Sequence, residues 1–225
     1  MSIKEIYIFG NKLVIYELDD VCDSVSGRAL TGSWIWDSAL LLSNWIATHR
    51  QTFEFAGKTV LELGAGTGLP GMTAARLGAK RVILTDIEPL VPGLRKSVEA
   101  NGLGERVWVS RLVWGCDELP SRLVESGEVD AVLMSDVLFD AEEMAGLAKT
   151  LKEVCGEGTK VWAATEVRES TSDCLAELEE EGFGIVELPS QLGGESLDCF
   201  DNFAVFQLIP PKQTQFEDHS AQMEE

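Results

Sequence analysis

The sequence predicts a doubly wound α/β domain, a mostly parallel seven-stranded sheet with helices on both faces, and three observations lead there. Short apolar runs alternate with helix-length segments from residue 59 to about residue 181, an order that gives parallel strands joined by right-handed crossovers. The first of these runs leads directly into a glycine loop, Gly64-Ala65-Gly66-Thr67-Gly68, at the turn where such sheets take up ligands. The last two runs have no helix-length segment between them, which makes an antiparallel edge.

Element by element, Ile6-Tyr7-Ile8-Phe9 and Leu13-Val14-Ile15-Tyr16 flank Gly10-Asn11, the pattern of an N-terminal β-hairpin. Residues 27–32 form a polar loop, and a helix is expected over 37–50 with Leu40, Leu41, Trp45 and Ile46 inward. Core strands are expected at 59–63, 81–85, 107–109, 129–134 and 160–165, and two closing strands at 184–188 and 203–208. Helices fit between them: one passing through Ala74, Ala75 and Leu77, then others near 91–101, 142–154 and 172–181. Pro210-Pro211 stops the last strand, so one domain is expected over 1–210 and a disordered acidic tail over 211–225. No internal repeat or interdomain linker interrupts it.

Composition removes several functions. A chain of 225 residues, 45% of them hydrophobic, can bury one substantial core. It has no run of 18 uncharged apolar residues, so no membrane-spanning helix is expected. The start, Met1-Ser2-Ile3-Lys4-Glu5, lacks the order of a signal peptide. The five cysteines, Cys22, Cys116, Cys155, Cys174 and Cys199, are odd in number and form no CxxC pair. Reduced thiols in a cytoplasmic or nuclear setting are therefore expected, rather than a disulfide framework or zinc cage. His49 and His219 are too few and too far apart for a histidine metal site, and no metal is expected. The net charge of −20 argues against nucleic acid as the main partner, because gripping a phosphate backbone needs a basic face. That charge either steers a cationic partner, such as a lysine-rich protein segment, or serves solubility alone.

The chemistry begins at Glu62-Leu63-Gly64-Ala65-Gly66-Thr67-Gly68. Glycines there let backbone meet a ligand, and the following helix offers unpaired N–H groups. A dinucleotide fingerprint needs glycine at the sixth position of GxGxxG, where this chain has Leu69. A tight strand–helix turn without ligand is the alternative, but Glu62 at the end of a buried strand would then be a buried charge without purpose. Asp86, about twenty residues on at the end of the second core strand, suits ribose hydroxyls, or else caps the helix entered at Pro89.

GxGxG preceded by an acid resembles motif I of class I methyltransferases. Trp34-Ile35-Trp36-Asp37-Ser38-Ala39, Leu112-Val113-Trp114-Gly115 and Ser135-Asp136-Val137-Leu138-Phe139-Asp140 make the resemblance more specific. Together these segments look like the family-16 group of seven-β-strand, Rossmann-like methyltransferases, over roughly residues 13–208. The resemblance implies S-adenosylmethionine as cofactor and a lysine-bearing protein as substrate. It implies cofactor contacts from Glu62 (orienting the ammonium), Gly64, Ala65, Gly66, Gly68, Asp86, Trp36, Trp114 (beside the adenine) and Ser135. Indoles suit a purine and a sulfonium, although tryptophans are also ordinary core residues. Asp136 and Phe139 match the family's Asp-x-x-Tyr/Phe motif, with Asp136 holding the amine and Phe139 walling its channel; phenylalanine lacks the hydroxyl that many relatives carry there. Asp136 as a cap for a helix starting near Ala141 is the competing reading. Glu166 and Arg168 either shape the substrate mouth or pair on the surface, and the run 177–181 reads as a solvated helix face. A small-molecule N- or O-methyltransferase and a non-catalytic cofactor-binding module remain as alternatives, and a monomer is expected.

Overall fold

The computed structural model describes residues 1–19, 21–22, 24, 27–189 and 202–211. The tail expected beyond Pro211, along with Cys199 and His219, lies outside the described residues. Two strands, β1 (Ser2–Ile8) and β2 (Asn11–Glu17), form a separate antiparallel hairpin ahead of α1 (Asp37–Thr48). Then follow β3 (Thr59–Leu63), α2 (Leu69–Arg76), β4 (Arg81–Asp86), α3 (Val91–Ala100), β5 (Val107–Arg111), α4 (Ser121–Ser126) and β6 (Val129–Ser135). The chain continues with α5 (Met144–Val154), β7 (Cys155–Glu166), α6 (Glu169–Glu180), β8 (Gly184–Leu188) and β9 (Phe203–Ile209).

The main sheet has seven strands in the order β5-β4-β3-β6-β7-β9-β8. The pairs among β5, β4, β3, β6 and β7 are parallel, whereas β9 runs antiparallel to both β7 and β8. The antiparallel edge expected from the missing last crossover is present, with β9 inserted between β7 and the marginal β8. Burial on both faces explains the continuous apolar character of the central strands. Val60, Val82, Leu84, Leu133 and Trp162 face a core shared with α1, α2, α3 and the hairpin, while Leu61, Leu63, Ile83, Met134 and Val161 face α5 and α6. The alternation by one residue between these two sets is the pleat itself.

Three details differ from the sequence expectation. The hairpin turns at Phe9-Gly10, not Gly10-Asn11: Ile8 pairs with Asn11, and Phe9 takes φ +46° with Gly10 at +78°. A two-residue turn of type I′, whose twist matches that of the strands, needs positive φ at both central residues, and composition alone did not show that a phenylalanine would supply one. α4 is too short to display a helical period. β7 starts at Cys155 directly after α5, because its pairing with β6 shifts register between Val129 and Ala131 and absorbs the exposed Gly156-Glu157-Gly158 stretch. No helix among the described residues is long and apolar enough to cross a membrane.

The hairpin is tied to the domain through the free edge of β2. The Val14 N–H donates to Asn101 Oδ1 at 2.9 Å, Asn101 Nδ2 donates back to the Val14 carbonyl at 2.7 Å, and the Tyr16 N–H donates to Ser97 Oγ at 3.0 Å. Leu13 and Ile15 bury their side chains beneath. From this anchor the chain crosses back to α1 through a strap that includes residues 27–36.

Candidate functional site

The strand order reverses between β4-β3 and β6-β7, so the loops leaving β3 and β6 diverge and open a crevice at the carboxyl ends of the strands. A cleft of about 610 Å³ occupies this position, within the ordinary size range of small-molecule sites. Its walls come from the loops after β3, β4, β5, β6 and β7 and from the strap ahead of α1.

The floor is the β3–α2 loop. Gly64, Ala65, Gly66 and Thr67 line the cleft. At Gly64, a side chain would meet the Trp114 ring at 3.0 Å and Val137 at 3.1 Å. At Gly66, φ is +54° and a Cβ would lie 2.6 Å from the Gly32 carbonyl oxygen, so loop and strap touch backbone to backbone. Gly68 is a correction: it does not line the cleft, and a Cβ there would strike Leu84 and Leu94 at 2.8 and 2.9 Å. Its small size serves packing beneath α2.

Glu62 is a second correction. Its side chain is 0% exposed and does not line the cleft. Oε2 accepts the Gly71 N–H in the first turn of α2 at 2.8 Å, while Oε1 has no hydrogen-bond partner. Burial pushes the carboxyl up to about 8, with the Gly71 N–H opposing and the nearby Asp86 adding to the rise. Strand alternation carries the side chain toward α2 and away from the ligand crevice. Gly71 is its unforeseen counterpart: a Cβ there would meet Glu62 Oε2 at 2.6 Å and Leu84 at 2.4 Å.

Asp86, the last residue of β4, lines the cleft. Oδ2 accepts the Gly66 N–H and Oδ1 the Ile87 N–H, each at 2.7 Å. Burial raises its carboxyl to about 6, although both backbone N–H groups favour the ionised form. It does not cap α3, whose N-cap is Leu90 with no side-chain cap bond. One carboxylate thus fixes the glycine loop and faces the crevice together.

Trp36 and Trp114 both line the cleft, with Trp34, Leu90, Leu112 and Val113 beside them. Trp36 is 36% and Trp34 43% exposed, which sets them apart from core tryptophans such as Trp162. The Trp36 Nε1–H donates to the Thr31 carbonyl at 3.0 Å, tying its indole to the strap. Trp114 is held from behind: the Gly115 N–H donates to Thr150 Oγ1 at 2.8 Å, and Gly115 packs against Gly146 of α5.

The opposite end of the cleft is acidic. Ser135 ends β6, Asp136, Phe139, Asp140 and Glu143 follow it, and Arg168 follows β7. Asp136 adopts φ +56°; it and Phe9 are the non-glycine residues with positive φ among those described. Its N–H donates to the Ala164 carbonyl at 2.9 Å, which pins this conformation to the sheet end. Such a backbone costs about 1–3 kcal/mol and is concentrated at functional sites. The helix-cap reading fails on geometry, because Asp140 takes that task by accepting the Glu142 N–H at 3.0 Å. Burial raises the Asp136 carboxyl, opposed by the charge of Arg168 and reinforced by that of Glu166. Phe139 is 51% exposed on the rim.

Of the eleven residues singled out, the cleft gathers nine: Trp36, Gly64, Ala65, Gly66, Asp86, Trp114, Ser135, Asp136 and Phe139. Sequence reasoning missed the strap residues 28–32, whose polar loop composition gives no sign that it folds over a cleft. Among the described residues there is no group of acids, histidines and cysteines able to hold a metal ion.

Comparison with known proteins identifies the family. Residues 23–181 match the family-16 methyltransferase model, described as lysine methyltransferase. The chain is 30% identical over 167 residues to protein-lysine methyltransferase METTL21E of Mus musculus, covering 73% of this chain and 68% of that protein. It is 35% identical over 149 residues to EEF1A lysine methyltransferase 3 of Mus musculus, covering 66% of this chain and 61% of that protein. The match thus spans about two thirds of these relatives. Among solved structures, the Thermus thermophilus 16S rRNA N2 G1207 methyltransferase RsmC, in complex with AdoMet and guanosine, superposes with a TM-score of 0.62. That likeness covers 94% of this chain and 50% of RsmC at 20% identity, and it speaks for the fold. On the extent of the family match, the chain belongs to the family-16 lysine methyltransferases.

Proposed function

We propose that this chain is an S-adenosylmethionine-dependent methyltransferase acting on the lysine side chain of a protein. The observation that carries this reading is a single cleft joining two chemistries: a glycine loop held by a half-buried carboxylate, and a strained aspartate at the neighbouring strand end.

The residues present fit the cofactor. Gly64 and Gly66 leave a cradle that side chains would fill. Asp86 offers a half-buried carboxylate for ribose hydroxyls, and Trp36 and Trp114 give apolar faces for a purine and a sulfonium. When bound, the cofactor would supply an electrophilic methyl group, given up to the acceptor nitrogen with the electron pair of the S–C bond left on sulfur. The remaining demands fall on the chain. A lysine amine, with a pKa of about 10.4, must lose a proton at a cost of roughly 4–5 kcal/mol at pH 7. Asp136 holds and orients that amine and passes its proton to solvent. Phe139 offers a ring face to the alkyl stem and cation. In-line displacement requires alignment above all, and fixing Asp136 on the sheet end provides it.

The acidic chain, at −20, favours a cationic partner over nucleic acid. The cleft is complete within one chain, which supports a monomer. An odd cysteine count, with Cys155 and Cys174 buried as thiols, supports a reducing compartment, cytoplasm or nucleus. The test is labelling of a lysate from cells lacking this protein with radiolabelled S-adenosylmethionine and the purified chain, followed by mass spectrometry. Label on a protein lysine is expected. Label confined to the small-molecule fraction would replace this reading with a small-molecule methyltransferase.

A further inference from the structure

The acid end of the cleft already contains a cation of its own. Arg168 Nη2 lies 2.7 Å from Glu166 Oε2 and 3.7 Å from Asp136 Oδ1, and its Nε donates to Glu166 Oε2 at 2.8 Å. The backbone beneath is fixed as well: the Arg168 N–H donates to Thr171 Oγ1 at 3.0 Å, and the Thr171 N–H donates to the Arg168 carbonyl at 3.1 Å. Glu166 thus anchors a guanidinium that lines the cleft and leans toward Asp136. Other charged groups facing this space are Asp86 at the end of β4, Asp140 and Glu143 after β6, and Arg28 of the strap.

A methyl acceptor has to be neutral at the moment of attack, and a carboxylate beside an amine works against that. Asp136 and Glu166 without a counter-cation would grip a lysine tightly as its ammonium, which has no lone pair to give. A fixed cation next to the amine lowers its pKa. We propose that Arg168 is a positioning residue that balances the charge of Asp136 and Glu166, so the acceptor lysine docks beside Asp136 without being trapped as ammonium. The guanidinium also occupies space near Asp136 and yields part of its contact when the amine arrives. Its loose 3.7 Å approach to Asp136, against the 2.7 Å grip on Glu166, is the arrangement such an exchange needs. This inference rests on the lysine-methyltransferase reading above.

The experiment follows label incorporation into the principal protein band of the lysate, across pH and lysate dilution, for wild type, Arg168→Ala, Arg168→Lys and Glu166→Gln. Arg168→Ala is expected to lower the apparent KM severalfold, and to move the rising limb of kcat to higher pH by about one unit or more. Glu166→Gln should do the opposite on both axes, and Arg168→Lys should restore the wild-type limb. In parallel, the Asp136 carboxyl is titrated by NMR on aspartate-labelled protein saturated with S-adenosylhomocysteine, with no acceptor present. It should titrate higher in Arg168→Ala and lower in Glu166→Gln. Superimposable pH profiles with equal losses of kcat in all variants would show a merely structural role and overturn the proposal, as would an Asp136 titration indifferent to Arg168. Wild type that labels no protein, while the titration shifts as expected, would instead overturn the lysine-methyltransferase reading, and the acceptor role with it.

Discussion

Replacing Glu62 with glutamine removes an ionisable group from the centre of the sheet while keeping the shape of the side chain. In the folded protein burial pushes this carboxyl from its ordinary 4.5 up to about 8. The folded state therefore keeps a proton that the unfolded chain gives up once the pH exceeds about 4.5. Stability from this group is fully present below that pH and declines by about 1.4 kcal/mol per unit as the pH rises toward 8. Between pH 5 and pH 8 the loss comes to roughly 4 kcal/mol. Glutamine has no such slope, and its carbonyl can still accept the Gly71 N–H that Oε2 accepts at 2.8 Å. Glu62→Gln should thus match wild type to within about 1 kcal/mol at pH 5 and exceed it by several at pH 8. Urea denaturation of both proteins at pH 5, 6.5 and 8 measures the difference, and calorimetry with S-adenosylhomocysteine measures binding, which should be nearly unchanged. A stability difference that does not vary with pH would refute the buried, protonated carboxyl. A well-folded variant that had lost the ligand would restore Glu62 to the cleft.

Asp86→Ala should weaken S-adenosylhomocysteine binding by about 2–3 kcal/mol, since charge-assisted hydrogen bonds are lost. Wild-type affinity should itself decline as the pH falls through about 6, where Asp86 takes up a proton; calorimetry showing neither effect would remove Asp86 from the ribose role. Gly66→Val must place a branched side chain at φ +54° and 2.6 Å from the Gly32 carbonyl. It should abolish ligand binding by displacing the strap, with retained secondary structure by circular dichroism. Asp136→Ala should leave ligand affinity within about threefold and lower methylation at least ten- to a hundredfold, a transition-state loss of about 1.4–2.8 kcal/mol. Its melting temperature should fall only modestly, because alanine tolerates the left-handed backbone less well than aspartate; a less stable but fully active variant would refute the role.

Most of the architecture was legible because buried parallel strands leave apolar runs that need no partner information to be recognised. Glu62 was misplaced for the opposite reason. A residue at the end of a buried strand points to one face or the other according to the pleat, and a motif specifies only that an acid is present. Gly68 shows the same limit: glycine spacing says that side chains are excluded, not whether Leu84 or a ligand excludes them. Asp86 and Asp136 were legible because strand ends project into the crevice whatever the pleat does next. The strap was invisible because its approach to Gly66 is a contact between backbones thirty-four residues apart, and backbone contact leaves little trace in side-chain pattern.

That contact gives the hairpin a purpose beyond packing. Glu17 at the end of β2 accepts the Ile35 N–H on Oε1 at 3.1 Å, and the Leu18 N–H donates to the Ser33 carbonyl at 3.3 Å. The strap is therefore clamped to the hairpin a few residues before Trp36, and the hairpin in turn is bolted to α3 through Asn101 and Ser97. α3 follows the Asp86 loop, and Asp86 holds the Gly66 N–H that lies against Gly32. The connections close a ring: sheet end, glycine loop, strap, hairpin, helix, and back to the sheet end. A loop over a ligand cleft is ordinarily among the least ordered parts of a fold, but this one is held at Gly32, Ser33 and Ile35 by rigid elements, which leaves that stretch few alternatives to its seated position. The two-stranded extension thus preorganises the wall that carries Trp34 and Trp36, so that ordering it takes little from the free energy of binding.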